Sequence, residues 1–200
     1  MTKLCRLGEI TDIHTGFTFR GKVEEAPDGN AHIVQIKDAR SHWEHRLGSH
    51  IDIHSLPKIH WQGKSYARSG SVLLPSRGEY LRASCLQADD GNASPVVASS
   101  QFFVINPKSA VLPEYLCWLL NQPAIQNRLQ HDSRGSNIPM LGIGQINELR
   151  LPIAPVNTQT HIVALVHLAE QEQQTAAQLQ QNRQTLFQGI YQHLIKESQS

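Results

Sequence analysis

Apolar and polar positions change rhythm once along this chain, near Pro155. Before it, short apolar alternations are broken by Gly, Pro, Asn and Asp, the pattern of brief strands joined by turns. Candidate strands are 32–37 (HIVQIK), 49–54 (SHIDIH), 71–75 (SVLLP), 95–98 and 101–105 (QFFVI). Leu7-Gly8-Glu9-Ile10 with Asp12-Ile13 reads as a short helix or a strand, ending at Gly16. A helix is predicted over 113–130. Pro113 suits its first turn, Leu116, Leu119, Leu120, Ile125 and Leu129 recur at roughly helical steps, and Pro123 divides it in two. Residues 132–137 form a polar loop ahead of a second apolar passage, Ile138 to Ile153.

Beyond residue 156 come 44 residues with no Pro and one Gly, Gly189; eleven of them are Gln, a good helix former. Ile162, Leu165, Val166, Ala169, Ala176, Leu179, Leu186, Ile190 and Leu194 recur at helical spacing. They approach a heptad seam running Ile162, Ala169, Ala176, Arg183, Ile190, with Leu165, Leu179 and Leu186 alongside. Asn157 or Thr158 is the expected N-cap. A helix over about 158–195 would be on the order of 55 Å long at ~1.5 Å per residue, too long to bury its seam on one small domain. Polar helices rarely hold together without a packing partner, so a two-helix coiled coil is expected rather than a solvated helix. Arg183 and the Glu and Gln residues on the seam point to a specific partner rather than generic zippering. The expected fold is α+β: one mixed α/β domain over 1–156, then a long coiled-coil-forming helix over 157–200 with a frayed tail.

Composition narrows the class. Hydrophobic content of 40% is that of a globular chain. The longest apolar runs, such as Ser71 to Leu74, fall far below the ~20 residues that span a bilayer. The opening residues, Met1 to Arg6, lack the apolar stretch of a signal peptide. Cys5, Cys85 and Cys117 lie far apart and are odd in number, which argues against a disulfide framework and for a reduced, cytoplasmic setting. Net charge is only +1; residues 1–156 hold 16 Lys and Arg against 14 Asp and Glu, and residues 157–200 hold 2 against 3. Any phosphate affinity, which is chiefly electrostatic, would therefore need help from a partner.

Several chemistries lack their motifs. No phosphate-binding G-x-x-x-x-G-K-[ST] loop and no G-x-G-x-x-G fingerprint is present; Gly142-Ile143-Gly144 continues as Gln-Ile-Asn. Asn106-Pro107 continues as Lys108-Ser109, not as the Pro-aromatic run of a DNA amino-methyltransferase. Ser76, Ser84 and Ser99 stand in no G-x-S-x-G elbow. His42, His45, His50, His54 and His60 crowd nineteen residues, but Ile51 and Ile53 alternate through them as in a strand and no Cys lies near. No cofactor and no metal are expected.

A set of small signals falls in order. Leu7 to Ile10 is followed by Gly16-Phe17-Thr18-Phe19, then Val34-Gln35-Ile36-Lys37-Asp38, then Gly70-Ser71-Val72-Leu73-Leu74. Ser99 to Ile105 precedes Leu112-Pro113-Glu114-Tyr115-Leu116; Gly135 to Pro139 leads to Ile146, Leu149, Leu151-Pro152-Ile153, Pro155 and Gln159. In order and spacing the chain resembles the target-recognition domain plus conserved helix of type I restriction-modification specificity subunits. Such subunits usually carry two domains and two helices, so the resemblance is to a half-length form. The family often has Gly-Asp where Gly70-Ser71 stands, and a double proline where Ala154-Pro155 stands.

The resemblance implies a non-catalytic reader of double-stranded DNA that directs a methyltransferase subunit, and in some systems a restriction subunit, to a split target. It also implies a homodimer through the seam Ile162, Leu165, Ala169, Ala176, Leu179, Leu186 and Ile190, or an exchangeable cassette working with a full-length companion. Base reading uses bidentate side chains, Arg or Lys for guanine and Asn or Gln for adenine. Candidates in polar turns are Arg20 and Lys22; Lys37, Arg40 and His42; Arg77, Tyr80 and Arg82; and Arg134, Ser136 and Asn137. Two rivals stay open: a protein-interaction module dimerising through its helix, and a metal-dependent hydrolase using the histidines with Asp38 or Asp52.

Overall fold

Alternation along the strands sorts residues 1–163 into layers. The computed structural model describes residues 1–45, 49–64, 67–78, 81–88, 95–132 and 140–198, in two units, Met1–Val163 and Ala164–Ser200. In the first unit a five-stranded sheet has the order β2 (Thr11–Thr15), β9 (Phe102–Pro107), β6 (Val72–Pro75), β7 (Ser84–Gln87), β4 (His50–Asp52). All its pairings are antiparallel except β4 with β7. A second sheet has the order β5 (Lys58–Ile59), β3 (Ala31–Val34), β8 (Val96–Ala98), and a third joins β1 (Lys3–Arg6) to β10 (Arg150–Ile153).

The two-residue period of a strand sends neighbours to opposite faces. Val72, Leu74, Phe103 and Ile105 enter one core with Leu7, Tyr115, Leu116 and Leu120. Leu73, Phe102 and Val104, between them in sequence, enter a second core with Val34, Ile51, Val96 and Ala98. Ile33 and Val97 face the other way, into a third cluster with Ala31 and Ile59, against which Phe19, Val23 and Trp61 pack. Each fully buried Leu or Phe contributes about 1.5–3 kcal/mol by leaving water.

Helices cover the first core. Leu7–Ile10 is a one-turn helix, α1, closed by Thr11 Oγ1 donating to the Leu7 carbonyl at 2.7 Å. The helix expected over 113–130 appears as α3 (Pro113–Leu120) and α4 (Pro123–Asp132), with Pro123 opening the second. After α5 (Ile143–Glu148) and β10 comes α6, Val156–Ser198.

Three local expectations are corrected. The strand expected over 32–37 stops at Val34, and α2 (Ile36–His45) begins at once, because the Asp38 carboxylate accepts the Gln35 N–H at 2.8 Å and caps a helix there. The strand expected over 49–54 covers only His50–Asp52, since Asp52 Oδ1 accepts the His54 N–H at 2.9 Å and turns the chain into a 3-10 helix, Ile53–Ser55. The long helix starts at Val156 rather than after a cap at Asn157 or Thr158. Its first turn is held instead by the fully buried Gln159, which donates to the carbonyls of Ala110 (3.0 Å) and Ala154 (2.8 Å) and accepts the Leu112 N–H (2.8 Å).

In the second unit, α6 exposes a line of large apolar side chains: Leu165, Leu168, Leu179, Leu186, Phe187, Ile190, Tyr191, Leu194 and Ile195. Ala169 and Ala176 are exposed among them. Ile162, at the head of the expected seam, belongs to the first unit and packs against the first core with Val163. Among the described residues no helix is long and apolar enough to cross a membrane.

Candidate nucleic-acid interface

Four stretches of the first unit converge on one cleft of about 1100 Å³. Its lining runs through Phe17, Phe19 and residues 21–25, then Gln35 and Lys37, Arg77, and Ser99 to Gln101.

Gly16 sets the first wall. Its N–H donates to the Phe102 carbonyl at 2.9 Å, and the Phe17 N–H donates to the Ala98 carbonyl at 2.7 Å, laying this strand end along the β8–β9 connection. A Cβ at Gly16 would stand 2.1 Å from the Ser99 carbonyl oxygen, so only glycine fits this close approach. Phe17 then stacks edge-on against Phe19 and Trp61, with ring centroids 5.0 and 4.8 Å away. Gly16→Ala is expected to cost about 1–3 kcal/mol of stability by overpacking, seen as a lower thermal midpoint. Gly21→Ala, where a Cβ meets nothing within 4 Å, leaves the midpoint unchanged.

The opposite wall comes from turns that end strands. Gln35 closes β3 and, with its N–H held by Asp38, opens α2. Burial pushes the Asp38 carboxyl pKa up, partly offset by that cap bond. Lys37 is the second residue of the helix, with its Nζ 3.0 Å from Glu25 Oε1, a bond that raises the ammonium's pKa and matches a negative charge to it. Arg77 follows β6 and forms an antiparallel bridge with Met140, while the Leu141 N–H donates to the Ser76 carbonyl at 2.8 Å. Both the N–H and the hydroxyl of Ser76 donate to the Gln101 carbonyl, at 2.7 and 3.0 Å, tying the Arg77 turn to the cleft lining. Gly78, at φ +104°, supplies the left-handed residue that turns the chain after Arg77.

Of the positions picked from sequence, the structure brings Lys22, Lys37 and Arg77 together in the cleft. Arg20 is exposed between two lining stretches without lining the cleft itself. Arg40 is exposed on α2, three residues past Lys37 and thus its neighbour on the helix surface. His42, half-buried on α2, borders a second hollow of about 320 Å³ with Asp38, Ser41 and Ser55. Arg82 is exposed between buried Leu81 and Ala83 and does not line the cleft. Tyr80, Arg134, Ser136 and Asn137 lie outside the described residues. Among the described residues no three His, Cys, Asp or Glu side chains gather as a metal ion requires.

The cleft is also lined by residues outside the basic turns named from sequence: Gln35, Ser99 and Gln101, with the aromatic edge of Phe17. They stand inside the motif stretches Gly16–Phe19, Val34–Asp38 and Ser99–Ile105, so the signal was the motifs themselves. Reading 32–37 as one strand hid the turn at Gln35. Chemically, the cleft offers cationic donors, amide groups that donate and accept, two carboxylates and aromatic surface. That mixture suits a polar ligand with both donors and acceptors on its edge, as base pairs have in the major groove.

Known structures share this fold. The HsdS subunit from Thermoanaerobacter tengcongensis superimposes with a TM-score of 0.58 at 18% identity, over 88% of this chain and 38% of that one. A chain from a structure titled for complex assembly and conformational transition of the type I R-M system gives a TM-score of 0.60 at 18% identity, over 86% and 38%. The type I restriction-modification system S subunit from M. genitalium gives 0.56 at 11% identity, over 90% and 41%. This chain thus spans about two fifths of the length of each. No curated protein sequence matches it. Residues 2–181 match the type I restriction modification DNA specificity domain, a stretch that takes in the cleft and more than half of α6, and the chain belongs to that family.

Proposed function

We propose that this chain reads one half of a split DNA target for a type I restriction-modification system and does no chemistry itself. A methyltransferase subunit, joined in some systems by a restriction subunit, would act at the DNA it selects. The observation that carries this reading is the cleft, where Arg77 and Lys22, neither with an ion-pair partner among the described residues, meet Lys37 and a set of amides in a chain of a DNA-specificity family. A second copy, joined through the apolar line of α6, supplies the reader for the other half-site. Two-fold symmetry then makes the target a palindrome with a gap.

With Lys37 held by Glu25 and a net charge of +1, the chain on its own binds phosphates weakly. Binding is therefore measured on the chain co-purified with its methyltransferase, across a salt series, because phosphate contacts give affinity that falls steeply with salt. Wild-type protein selects one gapped palindrome from random duplexes. Arg77→Ala loses discrimination at one base pair, worth about 1–3 kcal/mol. Uniform weakening on every sequence would make Arg77 a phosphate contact instead. A complex with no sequence preference would overturn the reading.

A further inference from the structure

The cleft is lined by polar amides as well as by cations. Gln35 and Gln101 line it, and neither carboxamide has a hydrogen-bond partner among the described residues. Their backbones, by contrast, are pinned. The Gln35 N–H is held by Asp38, and its carbonyl accepts the Asp38 and Ala39 N–H groups at 3.0 and 3.3 Å. The Gln101 carbonyl takes both Ser76 donors. Ser99, 8% exposed, is in the same lining, and its hydroxyl is buried with no hydrogen-bond partner among the described residues. Two carboxamides with no partner among the described residues, carried on fixed backbones, offer donors and acceptors to a polar edge.

We infer that Gln35 and Gln101 are base-reading residues of this cleft, each presenting its carboxamide to an adenine, so that the half-site contains A·T pairs as well as the base pair read by Arg77. This rests on the DNA-reading function proposed above. The chemistry is a match of patterns. A carboxamide places one donor and one acceptor side by side, and adenine's major-groove edge presents the N7 acceptor beside the N6 amino donor. Guanine offers two acceptors there, so the carbonyl oxygen of Gln would face an acceptor and be repelled. Because both backbones are already fixed, binding orders only the two side chains and no further main chain.

The test uses the full chain with its methyltransferase and the duplex that wild-type protein selects. Each adenine of the half-site is replaced in turn by 7-deazaadenine, which removes only the N7 acceptor. Wild-type binding is expected to weaken about tenfold at the adenine read by Gln101, and the penalty vanishes in Gln101→Ala, whose own preference there is relaxed. Gln35→Ala behaves likewise at a different adenine. Circular dichroism melting of both variants, expected to match wild type, separates lost reading from lost fold. If wild type selects its sequence but both variants keep full discrimination and the full 7-deaza penalty, the inference is overturned and the proposed function stands. If wild type selects no sequence, both fall.

Discussion

Leu179→Glu is expected to convert the proposed dimer to a monomer in light scattering at micromolar concentration, without lowering the melting temperature of residues 1–163. Leu179 is 51% exposed on α6, in the heptad frame of Ile162, Ala169, Ala176 and Ile190. A leucine left that open on a helix is stabilised only by burial against another surface, about 1.5–3 kcal/mol when complete. Glutamate forfeits that gain and brings a carboxylate that costs several kcal/mol to desolvate without a partner. Symmetry doubles the effect, since each dimer carries the substitution twice. A loss of about 3 kcal/mol per copy weakens dimerisation by about 10⁴-fold, enough to dissociate a nanomolar dimer at micromolar concentration. Gln181→Glu, two residues along and off the seam, leaves the dimer mass unchanged. A Leu179→Glu chain that still runs as a dimer would overturn the seam, and a wild-type monomer would overturn the second-copy reading altogether.

Gln159→Leu is expected to lower stability by about 3–5 kcal/mol in urea unfolding followed by circular dichroism. Gln159 is fully buried, and its carboxamide satisfies three backbone groups: the Leu112 N–H and the carbonyls of Ala110 and Ala154. Leucine fills a similar volume but leaves all three unpaired, and an unpaired buried polar group costs about 1–3 kcal/mol. Against a usual total of about 5–15 kcal/mol, the first unit would become marginal. Gln159→Glu adds a signature in pH. A buried carboxyl has its folded-state pKa raised above the unfolded value near 4.3, so the folded state holds the proton more tightly. Stability of this variant is therefore highest below pH ~4 on this account and falls as pH rises through the folded pKa, the reverse of an ion-paired carboxylate. A Gln159→Leu chain as stable as wild type would show that the three bonds are replaced by water.

How much of this was legible beforehand follows from the range of each interaction. The strands at 71–75, 95–98 and 101–105, the break at Pro123 and the long Gln-rich helix are each announced by residue types within a few positions, so local pattern sufficed to locate them, although the strands pair with partners far away in sequence. Gly16 was legible only as the end of the first element, because what it answers to, the Ser99 carbonyl, is more than eighty residues away. The errors at 35–37 and 53–54 came from single Asp side chains, Asp38 and Asp52, which outcompete strand propensity by capping a turn. β-branched composition carries no trace of such a cap.

The site divides along the same line. Residue type marked Lys22, Lys37 and Arg77 as able to meet DNA, and their motif order marked the family. Tertiary structure alone decided that these three share a cleft while Arg40 and Arg82 do not, and that Lys37 is matched by Glu25. It alone also decided that Gln35, Ser99 and Gln101 line the same cleft, because they arrive from stretches brought together by the β3–β8 pairing and the Ser76–Gln101 bonds. Contacts that far apart in sequence are set by packing, and no local pattern encodes them. For α6 the division is reversed: its apolar line was written in the heptad spacing, and in the folded chain Leu165, Leu168, Leu179, Leu186 and Ile190 stay exposed, while Gln159, Ile162 and Val163 at the head of the helix are taken into the first unit.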